Sequence, residues 1–337
     1  MKALVYRGAG DARYEEVPIP SPREGEVLVK ISHGGICGSD LTVYRGKHWR
    51  GTPGIIMGHE FSGEVAEVRS AKSDLRPGEP VVVEPLIPCK ECYVCLEGAY
   101  NACTTLKLHG IDVHGGFAEY AVAPAERVHR IPTSLPLKTA TLVEPTAVAA
   151  HVVRRSKAKL GNHAVVLGGG PIGLLVAQVA RLVTSMPVEL VEMSPWRLEL
   201  ARKLGFDPID PGKVDVKEEI LSRTGGTGAD LTYDCAGAAP TAALFAAITR
   251  VRGQVVQVAM PHDLRAVDLA GFAFRELEYI GCRTYDYRDY HAAISMVAEH
   301  KVDVESMISH VFPLAQGKEA LDLADKGSDS MKVLLKP

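Results

Sequence analysis

The chain has 337 residues, 46% of them hydrophobic and 23% charged, with a formal net charge of −3. That length allows two domains with full cores, and the composition is that of an ordinary globular protein. No basic field recommends nucleic acid and nothing suggests adhesion to acidic lipid, so neither partner is expected.

At the N-terminus Ala3-Leu-Val-Tyr6 is an apolar stretch between charges, too short for a signal-peptide core. A longer uncharged run, Ala164 to Ala180, is broken by Gly168-Gly-Gly-Pro171 and falls short of the span of about 20 residues that a membrane helix needs. Strand, turn and helix is the better account of that run, and a cytoplasmic location is expected.

The first third reads as β-rich: Glu26–Ile31, Phe61–Val68 with clear alternation, and Pro80–Glu84 as a short buried run. Turn markers punctuate it at Pro20-Ser-Pro22, Gly34-Gly35, Arg76-Pro-Gly78 and Gly115-Gly116. Near residue 150 the rhythm changes to alternation. A strand at Ala164–Leu167 precedes a helix from Pro171 to Leu182. A strand at Val188–Val191 precedes a helix opened by Ser194-Pro195 and closed by Gly205. Asp230–Asp234, a helix over Pro240–Thr249, and Gly253–Val258 continue the pattern, which implies a parallel, doubly wound sheet. The tail holds a helix, His291–His300, and a last strand, Met331–Leu335, expected to return to the first domain.

Four cysteines are packed as Cys89-x₂-Cys92-x₂-Cys95-x₇-Cys103, a spacing that suits one tetrahedral zinc in a single lobe. An iron–sulfur cluster uses similar ligands. A nucleic-acid-binding ribbon would need a basic face, whereas Lys90 and Lys107 are balanced here by Glu91 and Glu97. Four thiolates close zinc's shell, so this site braces a loop. The seven cysteines include Cys235 and Cys282, alone in apolar stretches and read as buried packing residues.

A second donor set is Cys37 with His59-Glu60, each beside glycines that let a side chain turn inward. Three protein ligands with an open fourth position make a catalytic zinc. Glu144 is an acid stranded in the apolar stretch Leu142–Ala150, which calls for a partner or a cation. His48 is a further candidate for lining the site. The other histidines, His129 and His262 among them, share no ligand spacing and are read as surface or core residues.

Gly168-x-Gly170-x-x-Gly173 stands at the strand-to-helix junction. There Gly168 permits the turn, Gly170 lets a pyrophosphate approach, and Gly173 lets helix and strand pack. Pro171 and Ile172 lie within the turn, whose N–H groups face the phosphates. Glu192, at the end of the next strand, suits both ribose hydroxyls and repels a 2′-phosphate. That favours NAD over NADP, a preference that nearby Arg197 softens.

Taken in order, Cys37-Gly-Ser39-Asp40, Gly58-His59-Glu60, the four-cysteine lobe, Gly115-Gly-Phe-Ala-Glu-Tyr120, Val143-Glu144-Pro145 and the glycine turn resemble the zinc-containing alcohol dehydrogenases of the medium-chain dehydrogenase/reductase superfamily. Glu144-Pro145 is most similar to the polyol branch, which holds sorbitol, butanediol and threonine dehydrogenases. The resemblance implies an α/β protein: a β-rich GroES-like catalytic domain, residues 1–148 and 288–337, and a Rossmann domain with a parallel sheet, residues 149–287. It implies that Cys37, His59 and a glutamate (Glu60, Glu144, or each in turn) hold the catalytic zinc, and that Ser39 takes the alcohol's proton. Thr42 stands where many relatives carry a relay histidine, so His48, or ribose hydroxyls with water, would serve instead. Tyr285 occupies a site-lining position, and relatives are homodimers or homotetramers.

The activity expected is hydride transfer from a secondary alcohol of a polyol, sugar alcohol or vicinal diol to NAD, giving the ketone. Oxidation of L-threonine is the alternative within the branch. A nicotinamide-binding protein without catalysis, keeping only the lobe metal, is the alternative outside it.

Overall fold

The computed structural model describes residues 1–261, 263–327 and 329–337. His262 lies outside the described residues. The chain divides into two units, one of Met1–Glu144, Asp286–His300 and Met307–Pro337, the other of Pro145–Tyr285 and Lys301–Ser306.

In the first unit the strands Ile308–Pro313, Lys332–Lys336, Glu26–Gly35, Glu60–Arg69, Pro80–Val83 and Val128–Arg130 lie side by side in that order. The central strand Glu26–Gly35 serves three neighbours. Along its whole length it pairs antiparallel with Glu60–Arg69. On its other edge, residues 26–30 pair with Tyr120–Pro124, while Gly34 and Gly35 face Leu335 and Leu334. Alternating inward residues, among them Val27, Val29, Ile31, Phe61, Val65 and Val81, fill one core.

Gly34-Gly35 is therefore not a turn, as its composition suggested, but the end of a ten-residue strand. The reason is steric. A Cβ on Gly34 would lie 2.9 Å from the Phe117 ring, and one on Gly35 would lie 2.4 Å from Glu60 Oε2. The helix Gly38–Tyr44 follows directly, with Cys37 as its N-cap residue. Neither this helix nor Gly317–Lys326 was evident from sequence periodicity.

The second unit is built on a five-stranded parallel sheet in the order Val188–Val191, Ala164–Leu167, Ala229–Asp234, Thr249–Gln257, Glu278–Gly281. All four residues of Ala164–Leu167 are fully buried, as an inner parallel strand covered on both faces requires. Pro171 opens the helix Pro171–Thr184, and Ser185 ends it in the left-handed region at φ 54°. Glu278–Gly281 is an edge strand, and most of it is exposed. The uncharged run at 164–180 is thus strand, turn and helix. Among the described residues no helix is long and apolar enough to cross a membrane.

Candidate metal centres and nucleotide site

The four-cysteine lobe is a short helix, Tyr93–Leu96, and a 3₁₀ turn, Tyr100–Ala102, whose caps present the thiols inward. One sulfur from each of Cys89, Cys92, Cys95 and Cys103 lies within 4.8 Å of the others. Cys89 is 4.0 Å from Cys95 and 3.5 Å from Cys103, far beyond a disulfide, and none of the four is bridged. These separations bracket the edge of about 3.8 Å expected for a tetrahedron with 2.3 Å metal–sulfur arms.

The electrostatics suit a cation at this point. N–H donors of Thr104 and Cys95 lower the Cys92 thiol to about 6, while loss of solvent and the neighbouring thiols push Cys95 up to about 12. Crowded thiols cannot all ionise together; a dication removes that conflict. These residues fit zinc.

Buried Glu84 ties the lobe to the sheet of the first unit. It accepts hydrogen bonds from Tyr100 Oη at 2.8 Å and Arg127 Nη1 at 2.6 Å, and its other oxygen lies 3.2 Å from His129 Nε2. The Arg127 guanidinium also lies over the Tyr100 ring, 4.2 Å from its centre.

The second donor set converges at the junction of the central strands. Cys37 leaves Glu26–Gly35, while His59 and Glu60 enter Glu60–Arg69, so strand pairing brings Gly35 opposite Glu60. One ligand atom from each of Cys37, His59 and Glu60 lies within 4.8 Å of the others. His59 and Glu60 are buried. Gly58, at φ 90°, makes room for Phe117, whose ring would overlap any side chain there.

Asp40 organises the set. Its carboxylate accepts the Cys37 N–H at 2.9 Å and the Gly58 N–H at 3.3 Å, and lies 3.5 Å from His59 Nδ1. That last contact is ionic, because Nδ1 has no aligned hydrogen-bond partner among the described residues. Burial opposes a charge on His59, but Asp40 and Cys37 outweigh it and raise the imidazole well above its ordinary value. A positive charge is thus favoured where the three donors meet. Ser39 Oγ lies 3.5 Å from His59 Nε2, the ring nitrogen away from Asp40.

Glu60 has a second partner that the sequence did not suggest. Lys332, 2% exposed, donates from Nζ to Glu60 Oε1 at 2.6 Å and to the Ile36 carbonyl at 3.1 Å. Glu60 Oε2 is 2.5 Å from the same ammonium, an ionic contact without hydrogen-bond alignment. This oxygen, held in the space that the absent Gly35 side chain leaves, is the one without a hydrogen bond. Thiolate, imidazole and a carboxylate with a spare lone pair fit a divalent zinc.

Glu144 is buried near the start of the helix Val143–Arg155 but does not join the Cys37, His59 and Glu60 group. Its charge is felt at Lys332 and at Tyr290. His48 is half-buried and accepts the Arg50 N–H at Nδ1; burial and the Arg50 charge lower its imidazole. The Thr42 hydroxyl is committed to the Gly38 carbonyl at 3.0 Å. Tyr285 is fully buried and belongs to the second unit. Cys235 and Cys282 are half-buried as residues, and burial pushes both thiols up, as packing cysteines require.

In the second unit the glycine turn has the expected construction. Gly168 is at φ 99°, and a Cβ on Gly173 would fall 1.8 Å from the Gly168 carbonyl oxygen. A Cβ on Gly170 would meet only Arg197 Nη1, at 3.6 Å, so the backbone there is open to a ligand. Pro171 and Ile172, both half-buried, begin the helix. Glu192 accepts N–H bonds from Gly169 at 2.9 Å, Met193 at 2.7 Å and Ser194 at 2.8 Å. Arg197 Nη1 is 3.9 Å from its carboxylate.

Asp40, Lys332 and Glu84 were assigned no role from the sequence. Asp40 was readable in principle, three residues after Cys37 at the start of a helix. Lys332 and Glu84 carry no local signal.

Comparison with known proteins follows the same lines. Residues 23–133 match the alcohol dehydrogenase GroES-like domain, and residues 171–299 match the zinc-binding dehydrogenase family. The chain is 38% identical over 336 residues to 2-dehydro-3-deoxy-L-galactonate 5-dehydrogenase of Pseudoalteromonas atlantica, covering 99% of this chain and 98% of that one. Sorbitol dehydrogenase of Halalkalibacterium halodurans is 34% identical, covering 100% and 99%. A crystal structure of a zinc-binding dehydrogenase from Sinorhizobium meliloti 1021 bound to NADP is similar with a TM-score of 0.93 at 32% identity, covering 100% and 99%.

Proposed function

The chain belongs to the zinc-binding dehydrogenases of the medium-chain dehydrogenase/reductase superfamily, in its polyol branch, and on that footing we propose that it oxidises a secondary alcohol of a polyol, sugar alcohol or vicinal diol to the ketone with NAD. As an oxidoreductase acting on alcohols it must acidify a hydroxyl and accept a hydride. The observation that carries the reading is the buried convergence of Cys37, His59 and Glu60, with an oxygen of Glu60 left without a hydrogen bond.

A zinc ion held by these three residues would supply the positive charge that makes a hydroxyl acidic, and a bound nicotinamide would supply the hydride acceptor. The remaining work falls to the chain. Ser39 Oγ, beside His59 Nε2, is placed to take the alcohol's proton and pass it outward. Thr42 does not continue the relay, because its hydroxyl already donates to Gly38 O. Burial and the Arg50 charge disfavour a protonated His48, so in a relay it would hand a proton on rather than retain it. Asp40 holds the His59 ring and the Cys37 backbone in register, which limits the motion of both donors.

For the coenzyme, three backbone N–H bonds fix Glu192 beside Gly169. A carboxylate so placed favours two ribose hydroxyls and disfavours a 2′-phosphate, which supports NAD. A second hydroxyl next to the reacting one gives the substrate a second grip on a polar site, hence the polyol or diol class. Self-association through the exposed strand Glu278–Gly281 is part of the same proposal.

The test is a panel of polyols, sugar alcohols, vicinal diols, sugar acids and L-threonine, each with NAD and with NADP, following absorbance of the reduced nicotinamide. Sugar acids belong in the panel because one relative is named for such a substrate. Turnover of a vicinal diol or polyol with NAD is the expected result. A preparation with two zincs per chain that oxidises only L-threonine, or no alcohol at all, would overturn the proposal.

A further inference from the structure

Lys332 is among the largest fully buried side chains of the described residues, and it is the only lysine in that group. A buried ammonium needs a strong reason to be there. Its contacts supply one. It reaches both oxygens of Glu60, at 2.6 and 2.5 Å, and the carbonyl of Ile36, the residue immediately before Cys37. Glu60 in turn has a carboxylate oxygen within 4.8 Å of the donor atoms of Cys37 and His59. One carboxylate is therefore shared between two places that attract negative charge: the ammonium and the point where three metal donors meet.

We propose that Lys332 is a positioning residue that competes with the metal for Glu60 and so sets how firmly Glu60 holds the ion. This rests on the metal reading of Cys37, His59 and Glu60 given above. The ammonium gives Glu60 a bonded resting place off the metal, so the carboxylate's own position beside the open fourth one can be vacated without leaving a bare buried carboxylate. Among the described residues, the side-chain hydrogen bond and ion pair of Glu60 both go to Lys332. The Ile36 contact anchors the ammonium to the backbone beside Cys37, so its distance from the donor set does not depend on Glu60 alone.

Two substitutions move the balance in opposite directions. Lys332→Met fills the space without the charge and removes Glu60's alternative partner. Transfer of metal from this site to a coloured chelator, followed on the purified holoenzyme, is expected to slow at least tenfold, with a raised KM for the alcohol. Lys332→Arg offers a two-pronged donor that matches both carboxylate oxygens and holds Glu60 away from the ion. Its transfer is expected to quicken at least tenfold. Adding Glu60→Gln to either variant should erase the difference between them. The visible spectrum of cobalt-substituted protein gives a second readout, with the two variants displaced from wild type in opposite senses.

A purely structural lysine would lower the melting temperature and leave both readouts at their wild-type values in folded protein; that result overturns the inference. Should Lys332→Met not accumulate as folded protein, Lys332→Arg at the wild-type transfer rate is enough to overturn it. Wild-type protein that carries one metal per chain, bound only by the cysteine lobe, overturns the metal reading itself. Two metals with unmoved transfer rates overturn the role of Lys332 alone.

Discussion

Asp40 serves three masters from one buried carboxylate: the Cys37 N–H, the Gly58 N–H and the His59 ring. None of these contacts is to a substrate or a metal, yet each fixes a neighbour of a donor atom. Asp40→Asn keeps the shape and loses the charge that faces Nδ1. Metal affinity or alcohol oxidation is expected to fall about 10–100-fold, the usual loss for a residue that orients a ligand. Metal analysis after dialysis, alongside kcat and KM, checks it, and the four-cysteine lobe should keep its own zinc. At this scale the chain spoke plainly where chemistry is local. Cys37 stands beside glycines and His59-Glu60 are adjacent, so residue types alone drew attention to these three, whereas Ser39 was singled out only by the resemblance and Asp40 not at all. Lys332 did not stand out. In Met331-Lys-Val-Leu-Leu335 a lysine reads as the outward residue of an edge strand, and only pairing with residues 34–35 turns it inward.

The element that shows most clearly how a lobe is held is the four-cysteine segment. Its internal spacing announces a metal, but its attachment to the sheet rests on Glu84 with Arg127 and His129, which lie 43 and 45 residues further along the sequence. Sequence periodicity gave Glu84 only as the last residue of a short buried run. Burial pushes the Glu84 carboxyl up, but hydrogen bonds from His129 and Arg127, with the Arg127 charge, outweigh it and leave it below its ordinary value. A carboxylate depressed in the folded state lends stability that is complete above the unfolded value, about 4.3, and is lost as pH falls through the folded one. Thermal melts of wild type should therefore weaken below about pH 4.3, while Glu84→Ala should show a smaller loss over the same range. Near neutral pH, Glu84→Ala leaves Arg127 buried without its partner, and a loss of about 3–5 kcal/mol is expected from denaturant titration. Gly34-Gly35 misled at this scale for a related reason. Two adjacent glycines suggest a turn, but here they mark the crowding of a strand against Phe117 and Glu60, which no single-strand pattern reveals.

For the whole molecule, two properties follow from the second unit. The proposed preference for NAD rests on Glu192 beside the glycine turn, with Arg197 Nη1 3.9 Å from its carboxylate. Glu192→Ala should raise the ratio of NADP to NAD in kcat/KM by at least about tenfold, which corresponds to about 1.4 kcal/mol. The strand Glu278–Gly281 leaves one edge of the parallel sheet unpaired among the described residues, with Tyr279 half exposed and Phe274 and Leu269 more so on the preceding helix. Such an edge invites a second copy across a two-fold axis. Light scattering should give at least a dimer, and Gly281→Pro, at a position whose N–H faces away from the neighbouring strand and where a Cβ meets nothing, should shift it toward monomer. The parallel sheet was legible because strand and helix alternate within short windows. The tail's return to the strand Glu26–Gly35 depends on contacts some 300 residues apart, which leave only a faint mark on local pattern.

That return has a consequence for how the protein is made. Glu60 and Lys332 are separated by 272 residues. On a ribosome adding about 5–20 residues each second, roughly 15–50 s pass between the emergence of the one and the other. Through that interval the first unit holds a carboxylate with no ammonium to answer it, while residues 145–285 come to have all the strands of their own sheet. A divalent ion would then answer Glu60 in place of the ammonium, so the growing chain is expected to meet its metal before it meets its lysine.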